Sequence, residues 1–311
     1  MRTDKTLMAL LLTLIALLVA GRFVPQWALS YASVSMYIAT VVLGMVLMIR
    51  TGLVSFGQGL YYALGAYAAG TLEHVWKISD LLAMVVAGTL VAALVAFVLG
   101  FLLARYRDIY FAMLSLAFSM ILYGLLVKSS DLGSTDGFGL TIKTFAGVPL
   151  EQPRMVLFTV ASVIAFGCAM LLHMYLRSHW GRLASAIKDN ELRVEYMGAS
   201  ARRVIHINYV ISAAMAGVGG ALMAGTIGHV DPDTAAYWTT SGEFVFISIF
   251  GGSASVFAPL LGSAIFEAVR TFALQYFPNT WQMTLGVTML LVIMFLPGGL
   301  WSLFQRVRKA A

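Results

Sequence analysis

LLAMVVAGTLVAALVAFVLGFLLA, residues Leu81–Ala104, contains no Asp, Glu, Lys or Arg. A hydrocarbon core of about 30 Å needs about 20 apolar residues at a rise of about 1.5 Å each, so this run is long enough to cross a bilayer as one helix. It is one of a series. Runs free of the same four residues cover Leu7–Gly21, Phe23–Ile49, Thr51–Leu72, Ile109–Val127, Met155–Leu176, Val204–Val230, Phe244–Phe266 and Thr271–Gln305. Between them they leave only short polar connections, apart from those at 128–153 and 177–203.

Composition agrees. Of the 311 residues, 60% are hydrophobic and 11% charged, whereas a soluble domain carries about 25% charged residues. A core of this size cannot hide so much apolar surface. An ordinary cytosolic enzyme, a nucleic-acid binder and a disordered chain are excluded, and the solvent for most of the chain is lipid. The net charge of +6 is therefore read as basic loops on one side of a membrane. The single cysteine, Cys168, lies in an apolar run. It excludes a disulfide framework and argues against a zinc site.

Orientation follows from Lys and Arg in the connections. With 177–203 inside, the inside set is Arg2, Lys5, Arg50, Arg105, Arg107, Arg177, Arg182, Lys188, Arg193, Arg202, Arg203, Arg306, Arg308 and Lys309, fourteen of the 20 basic residues. Arg22, Lys77, Lys128, Lys143, Arg154 and Arg270 remain. The first run has basic residues before it but Asp4 among them and no small-x-small site before Arg22. It is read as a retained helix with its N-terminus in the cytoplasm.

A cytoplasmic C-terminus needs one break. Gly251-Gly252-Ser253-Ala254-Ser255 supplies it: the glycine pair interrupts a helix, Ser255 caps the next and Pro259 suits its first turn. Phe244–Phe250 is then a half-helix dipping in from outside, Val256–Ala273 returns, and a tail helix starts near Trp281. The expectation is an all-α integral membrane protein in one domain over 1–311. It is a polytopic helical bundle with about eight full spans and one re-entrant half-helix, a cytosolic loop at 177–203 and a periplasmic loop at 128–153.

Three stretches carry candidate function. The first, Arg177–Arg203, reads RSHWGRLASAIKDNELRVEYMGASARR. It is helically spaced around Leu183, Ile187 and Val194, with Gly181 at its start and Gly198 at its end. Leu183, Ala186, Ile187 and Tyr196 give it a partly apolar face. A solvated amphipathic linker and a docking helix for a cytosolic partner both fit. Its 27 residues favour docking, since helix connections in bundles commonly need about 2–8.

The second stretch is Gly52–Gly59, with Ser55 and Gln58 at a helix start. It reads either as a polar packing patch or as a bend lining a pathway. In the pathway reading it faces the break at Gly251, Gly252, Ser253 and Ser255. The third is the pair Glu267 and Arg270, three apart on one helix face. An embedded acid is a functional candidate, and one with a partner near a helix end is more often structural.

The helix after 200 has two small-residue stripes, Ala213-Gly217-Ala221-Gly225 and Ala216-Gly220-Ala224-Gly228, which signal close helix packing. The loop sequence DLGSTDGFG suggests turns, and Gly133 and Thr135 stand where a calcium loop needs acids or Asn. The five histidines are dispersed, with no metalloprotease motif. Gly251-Gly252-Ser253 is followed by Ala254, which breaks the intramembrane-protease pattern. No P-loop exists, since none of the six lysines follows a glycine. Any ATP, and the Mg bound with it, must sit on another subunit, and the chain itself carries no cofactor, metal or catalytic residue.

Taken in order, GLVSFGQGLYYALGAYAAG (52–70), GRLASAIKDNELRVEYMGAS (181–200), ISAAMAGVGGALMAG (211–225), GGSASVFAPLLGSAIFE (251–267) and LPGGL (296–300) resemble the LivM-type permease subunits of bacterial high-affinity branched-chain amino acid ABC importers. LGSTDGFGL is a looser version of that family's TGGSDGL element. The resemblance covers nearly the whole chain. It implies an ABC-importer permease fold in the bacterial inner membrane, a LivH-like second permease, two cytosolic ABC ATPase subunits and a periplasmic substrate-binding protein. Gly181, Arg182, Lys188, Asp189, Asn190, Glu191 and Gly198 match the segment that docks the ATPase, to which the helical spacing adds Ile187. His179-Trp180 departs from the family's usual Pro-Phe. Related subunits carry urea, short amides or aromatic acids. A stand-alone secondary transporter would want embedded titratable groups beyond Glu267, and the sequence offers few.

Overall fold

A computed structural model of the chain describes residues 4–150, 152–296 and 298–303. Pro297 and the basic residues Arg2, Arg306, Arg308 and Lys309, used above to orient the termini, lie outside them.

The helices, in chain order, are α1 (Lys5–Gly21), α2 (Gln26–Arg50), α3 (Gln58–His74), α4 (Leu81–Leu103), α5 (Asp108–Lys128), α6 (Pro153–Arg177), α7 (His179–Asp189), α8 (Glu191–Tyr196), α9 (Ala201–Ile227), α10 (Pro232–Ala235), α11 (Trp238–Gly251), α12 (Phe257–Tyr276) and α13 (Trp281–Phe295). Among the described residues six are long and apolar enough to cross a membrane: α2, α4, α5, α6, α9 and α12. The chain is a multi-pass, largely helical membrane protein. Sequence signals set the ends. Asp80 accepts from the N–H groups of Leu82 and Ala83 at the start of α4, Ser200 caps α9, and Pro153 opens α6.

The long helix α9 sits at the centre, against α2, α3 and α4. Its glycine stripes make this possible. A Cβ at Gly217 would lie 2.5 Å from the Ala92 side chain and 2.8 Å from the Gly88 carbonyl oxygen, and one at Gly220 would strike the Tyr62 carbonyl. In lipid, association depends on such close packing. Helix α2 is almost wholly buried, while α4 and α5 leave most of their surface open.

Five contacts define one end of the bundle. The N–H of Gly147 and the hydroxyl of Thr144 donate to Asp80. The strand β1 (Phe138–Gly139) pairs with β4 (His229–Val230). Tyr123 donates to Asp233 at 2.8 Å, and Gly21 abuts Phe158. A second small hairpin joins β2 (Thr144–Phe145) and β3 (Val148–Pro149). The connections 129–150 and 228–237 thus meet in one layer. The opposite end carries α7 and α8.

The predicted half-helix Phe244–Phe250 is longer in the structure. Helix α11 has 14 residues, about 21 Å, because the largely polar stretch Trp238–Glu243 adds its first turns ahead of the apolar Phe244–Phe250. It turns at Gly252, whose φ of 94° suits only glycine, and α12 returns.

Candidate functional site

At the α7–α8 end, sequence order becomes a compact bracket. Ser178 accepts from the Gly181 N–H and starts α7. Gly181 has no room for a side chain, since a Cβ would lie 2.7 Å from the Leu176 carbonyl carbon. Asn190 ends α7 and caps α8, accepting from Arg193 N–H at 2.9 Å. Gly198, at φ 85°, ends the bracket.

The bracket is held to the bundle by side chains that the sequence placed on its docking surface. Glu191 takes a two-pronged bond from Arg107, Nε to Oε2 at 2.7 Å and Nη2 to Oε1 at 2.6 Å. Arg107 also donates to the Ala104 and Tyr106 carbonyls, which fixes the fork in the turn before α5. Lys188 packs its stem against Gly52. Ile187, Ala184 and Val194 are buried. Arg182 and Asp189 stay exposed. So do Lys188, Arg193 and Glu195, and among these charges three large apolar side chains project outward: Leu192 is 66% exposed, Met197 76% and Tyr196 90%. Of these only Tyr196 was legible as part of an apolar face. The other two fall outside the stripe because α7 and α8 are separate helices with different axes.

Two non-helical turns lie near this end. The first, 51–57, precedes α3. Phe56 N–H donates to Ser115 Oγ at 3.1 Å, and Gly57 N–H to Ser55 Oγ at 3.3 Å. Gln58 Nε2 donates to Ser212 Oγ at 2.6 Å, and Gly59 N–H to Ser241 Oγ at 2.9 Å. Ser55, Gln58, Ser115, Ser212 and Ser241 are all buried, and Gln58 Oε1 has no hydrogen-bond partner among the described residues. The second turn lies between α11 and α12. Ser255 Oγ accepts from Phe257 N–H at 3.3 Å, but Val256, not the expected Ser255, stands at the N-cap position of α12. The Ser253 carbonyl accepts from Arg50 Nε at 2.8 Å.

Among the described residues no hydrogen bond joins Ser55 or Gln58 directly to Ser253 or Ser255. Arg50, at the head of the first turn, makes the link. The glycines of 296–300 complete the second turn: Leu300 N–H donates to the Phe250 carbonyl at 2.8 Å, and Gly298 and Gly299 pack on Gly252. That meeting of two distant glycine pairs was invisible in the sequence.

Higher on the hairpin, Arg270 Nη1 lies 3.1 Å from Glu243 Oε1 and 3.9 Å from Glu267 Oε2. The expected Glu267–Arg270 pair forms, and Glu243 of α11 is the nearer partner.

Comparison with known proteins fits this arrangement. A family model described as the permease component of branched-chain amino acid transport systems matches residues 27–296. The chain is 29% identical to the permease protein LivM of the high-affinity branched-chain amino acid transport system of Escherichia coli (strain K12), over 93% of this chain and 74% of that protein. It is 28% identical to LivM of Salmonella typhimurium over the same shares. It is 21% identical to the permease protein BraD of Pseudomonas aeruginosa, over 80% of this chain and 86% of that protein. No solved structure gives a significant match. The match runs from the start of α2 to the end of α13 and takes in both turns and the α7–α8 bracket, and the chain belongs to the family of branched-chain amino acid transport system permease components.

Proposed function

We propose that this chain is one permease subunit of an ATP-driven importer that moves branched-chain amino acids delivered by a periplasmic binding protein. A LivH-like second permease completes the path. Two cytosolic ATPase subunits bind ATP and Mg and supply the energy. The chain performs no covalent chemistry. It lies in the bacterial inner membrane with both termini cytoplasmic, with eight full spans and the α11–α12 hairpin. The turns at Ser55–Gln58 and Gly251–Ser255 line the path.

The observation that supports coupling is the α7–α8 bracket. A loop that is clamped by Arg107–Glu191 yet exposes Leu192, Tyr196 and Met197 beside Arg193 and Glu195 has a fixed base and an amphipathic tip. A tip of this kind gains about 1.5–3 kcal/mol for each large side chain it buries in a partner's cleft. Ile187 is unsuited to a test, since a charge there would sit inside the bundle. Tyr196→Asp and Leu192→Asp alter the tip alone. In the reconstituted importer both variants should insert normally and lose most substrate-stimulated ATP hydrolysis. Full stimulation in both would reduce the bracket to a linker.

A further inference from the structure

The α11–α12 hairpin carries a charge imbalance that neither the bracket nor the turns use. Glu243 lies on the descending arm, and Glu267 and Arg270 lie on the returning arm. One guanidinium thus serves two carboxylates. Arg270 also stacks over Trp281 of α13, its Cζ 5.8 Å from the ring centroid. The phenols of Tyr37 and Tyr62 come near from α2 and α3 and bring no positive charge. Glu267 Oε2 is buried and has no hydrogen-bond partner among the described residues. Among the described residues Arg270 donates its hydrogen bond through Nη1, leaving Nε and Nη2 as donors.

Depth matters here. At about 1.5 Å per residue Glu267 lies about 15 Å along α12 from Phe257 and about 13 Å short of Tyr276, well inside the hydrocarbon thickness. Arg270 lies about 9 Å short of the end of α12 at Tyr276, and Glu243 about 8 Å in from the start of α11 at Trp238, and their side chains are 32% and 26% exposed on this chain. Charged groups opening onto acyl chains at that depth cost several kcal/mol, so this side of the hairpin meets water or another protein surface, not lipid. The unmet chemistry is one carboxylate oxygen wanting a cationic donor and one guanidinium edge wanting an anion, side by side.

We propose that Glu267 and Arg270 form a transit site for the zwitterionic head of an α-amino acid. The ammonium donates to Glu267 Oε2 and the carboxylate takes the free Nε–Nη2 edge of Arg270. Glu243 holds the guanidinium in place from the other arm. Every charge then has an opposite neighbour, and the ammonium supplies the donor that Glu267 lacks. The site rests on the importer reading and gives it a recognition element within the membrane. It selects for the amino-acid head, leaving the side chain to the binding protein.

The test uses the assembled permease–ATPase complex in lipid nanodiscs without the binding protein, read by thermal shift. The probes are leucine, isopentylamine, which has the ammonium alone, and 4-methylpentanoate, which has the carboxylate alone. Leucine and isopentylamine should raise the melting temperature of the wild type more than 4-methylpentanoate does. Glu267→Gln should weaken the apparent affinity for both amines about tenfold or more, the scale of a charge-assisted hydrogen bond. Glu267→Asp, which keeps the charge, should restore part of it. If Glu267→Gln fails to assemble, the ranking of the three probes on the wild type decides.

Equal shifts from all three probes, no amine-dependent shift, or undiminished amine binding in Glu267→Gln would overturn the site. The last two results are also those expected if a cation from the second permease fills the cluster. Uptake of labelled leucine by the complete importer is measured separately. Uptake without an amine-dependent shift overturns the site alone, and absence of uptake overturns the importer reading itself.

Discussion

Arg50 Nε donates to the Ser253 carbonyl oxygen at 2.8 Å, so the last residue of α2 ties the turn before α3 to the turn between α11 and α12. The two turns are about 200 residues apart in the chain and, among the described residues, make no direct hydrogen bond through Ser55, Gln58 or Ser255. A guanidinium can hold a carbonyl that a helix break has freed, where lipid offers nothing. The 298–300 glycine segment closes the same turn from the other side through Leu300 and Phe250.

Replacing Arg50 by Ala removes that donor and leaves the Ser253 carbonyl without its partner. An unsatisfied polar group of this kind costs about 1–3 kcal/mol. Arg50→Ala should insert and assemble, melt several degrees lower, and transport more slowly. A variant with wild-type melting and uptake would show that the link is incidental.

Close packing of α9 gives a second test. A side chain at Gly220 meets the Tyr62 carbonyl, while one at Gly124 meets nothing within 4 Å. Gly220→Leu should abolish recovery of folded protein, because backbone cannot yield as a flexible side chain can. Gly124→Leu should express and melt like the wild type. Equal yields of the two, by fluorescence-detected size exclusion, would contradict the packing described.

Asp80 gives a pH test. Burial pushes its carboxyl up, but bonds from the Gly147 and Ala83 N–H groups, the Thr144 hydroxyl and the Leu82 N–H outweigh it and hold the group below the usual carboxylate range. A lowered folded value means stabilisation fully present above the ordinary value of about 3.9 and lost as pH falls through the lower folded one. Asp80→Ala, which also removes a helix cap, should cost about 1 kcal/mol near neutral pH. The melting difference from wild type should shrink below about pH 4. A difference that stays constant to low pH would mean the charge contributes nothing.

Orientation is tested by labelling. With Cys168 replaced by Ser, a cysteine at Ser134 should react with membrane-impermeant maleimide in intact spheroplasts, and one at Ser185 should react only after lysis. Labelling of Ser185→Cys in intact spheroplasts would invert the assignment of inside and outside.

The sequence by itself determined the class of molecule, a multi-pass helical membrane protein, and its long apolar helices. A helix in lipid must satisfy its backbone hydrogen bonds within its own segment, so Leu81–Ala104 announces α4 without reference to anything else, and Gly251-Gly252 announces the end of α11. Caps at Asp80, Ser178, Asn190 and Ser200 are equally local, since each acts on N–H groups two or three residues away.

Tertiary structure alone decided which side chains meet. Of the residues expected to dock a partner, Glu191 also clamps onto Arg107 and the exposed Lys188 lays its stem against Gly52, while Leu192, Tyr196 and Met197 face outward beside them. Glu243 joins Glu267 and Arg270 only because α11 and α12 fold back on each other. Such pairings depend on helix crossing and rotation, which are set by the glycine faces of α9 and its neighbours acting together, and no single segment carries that information.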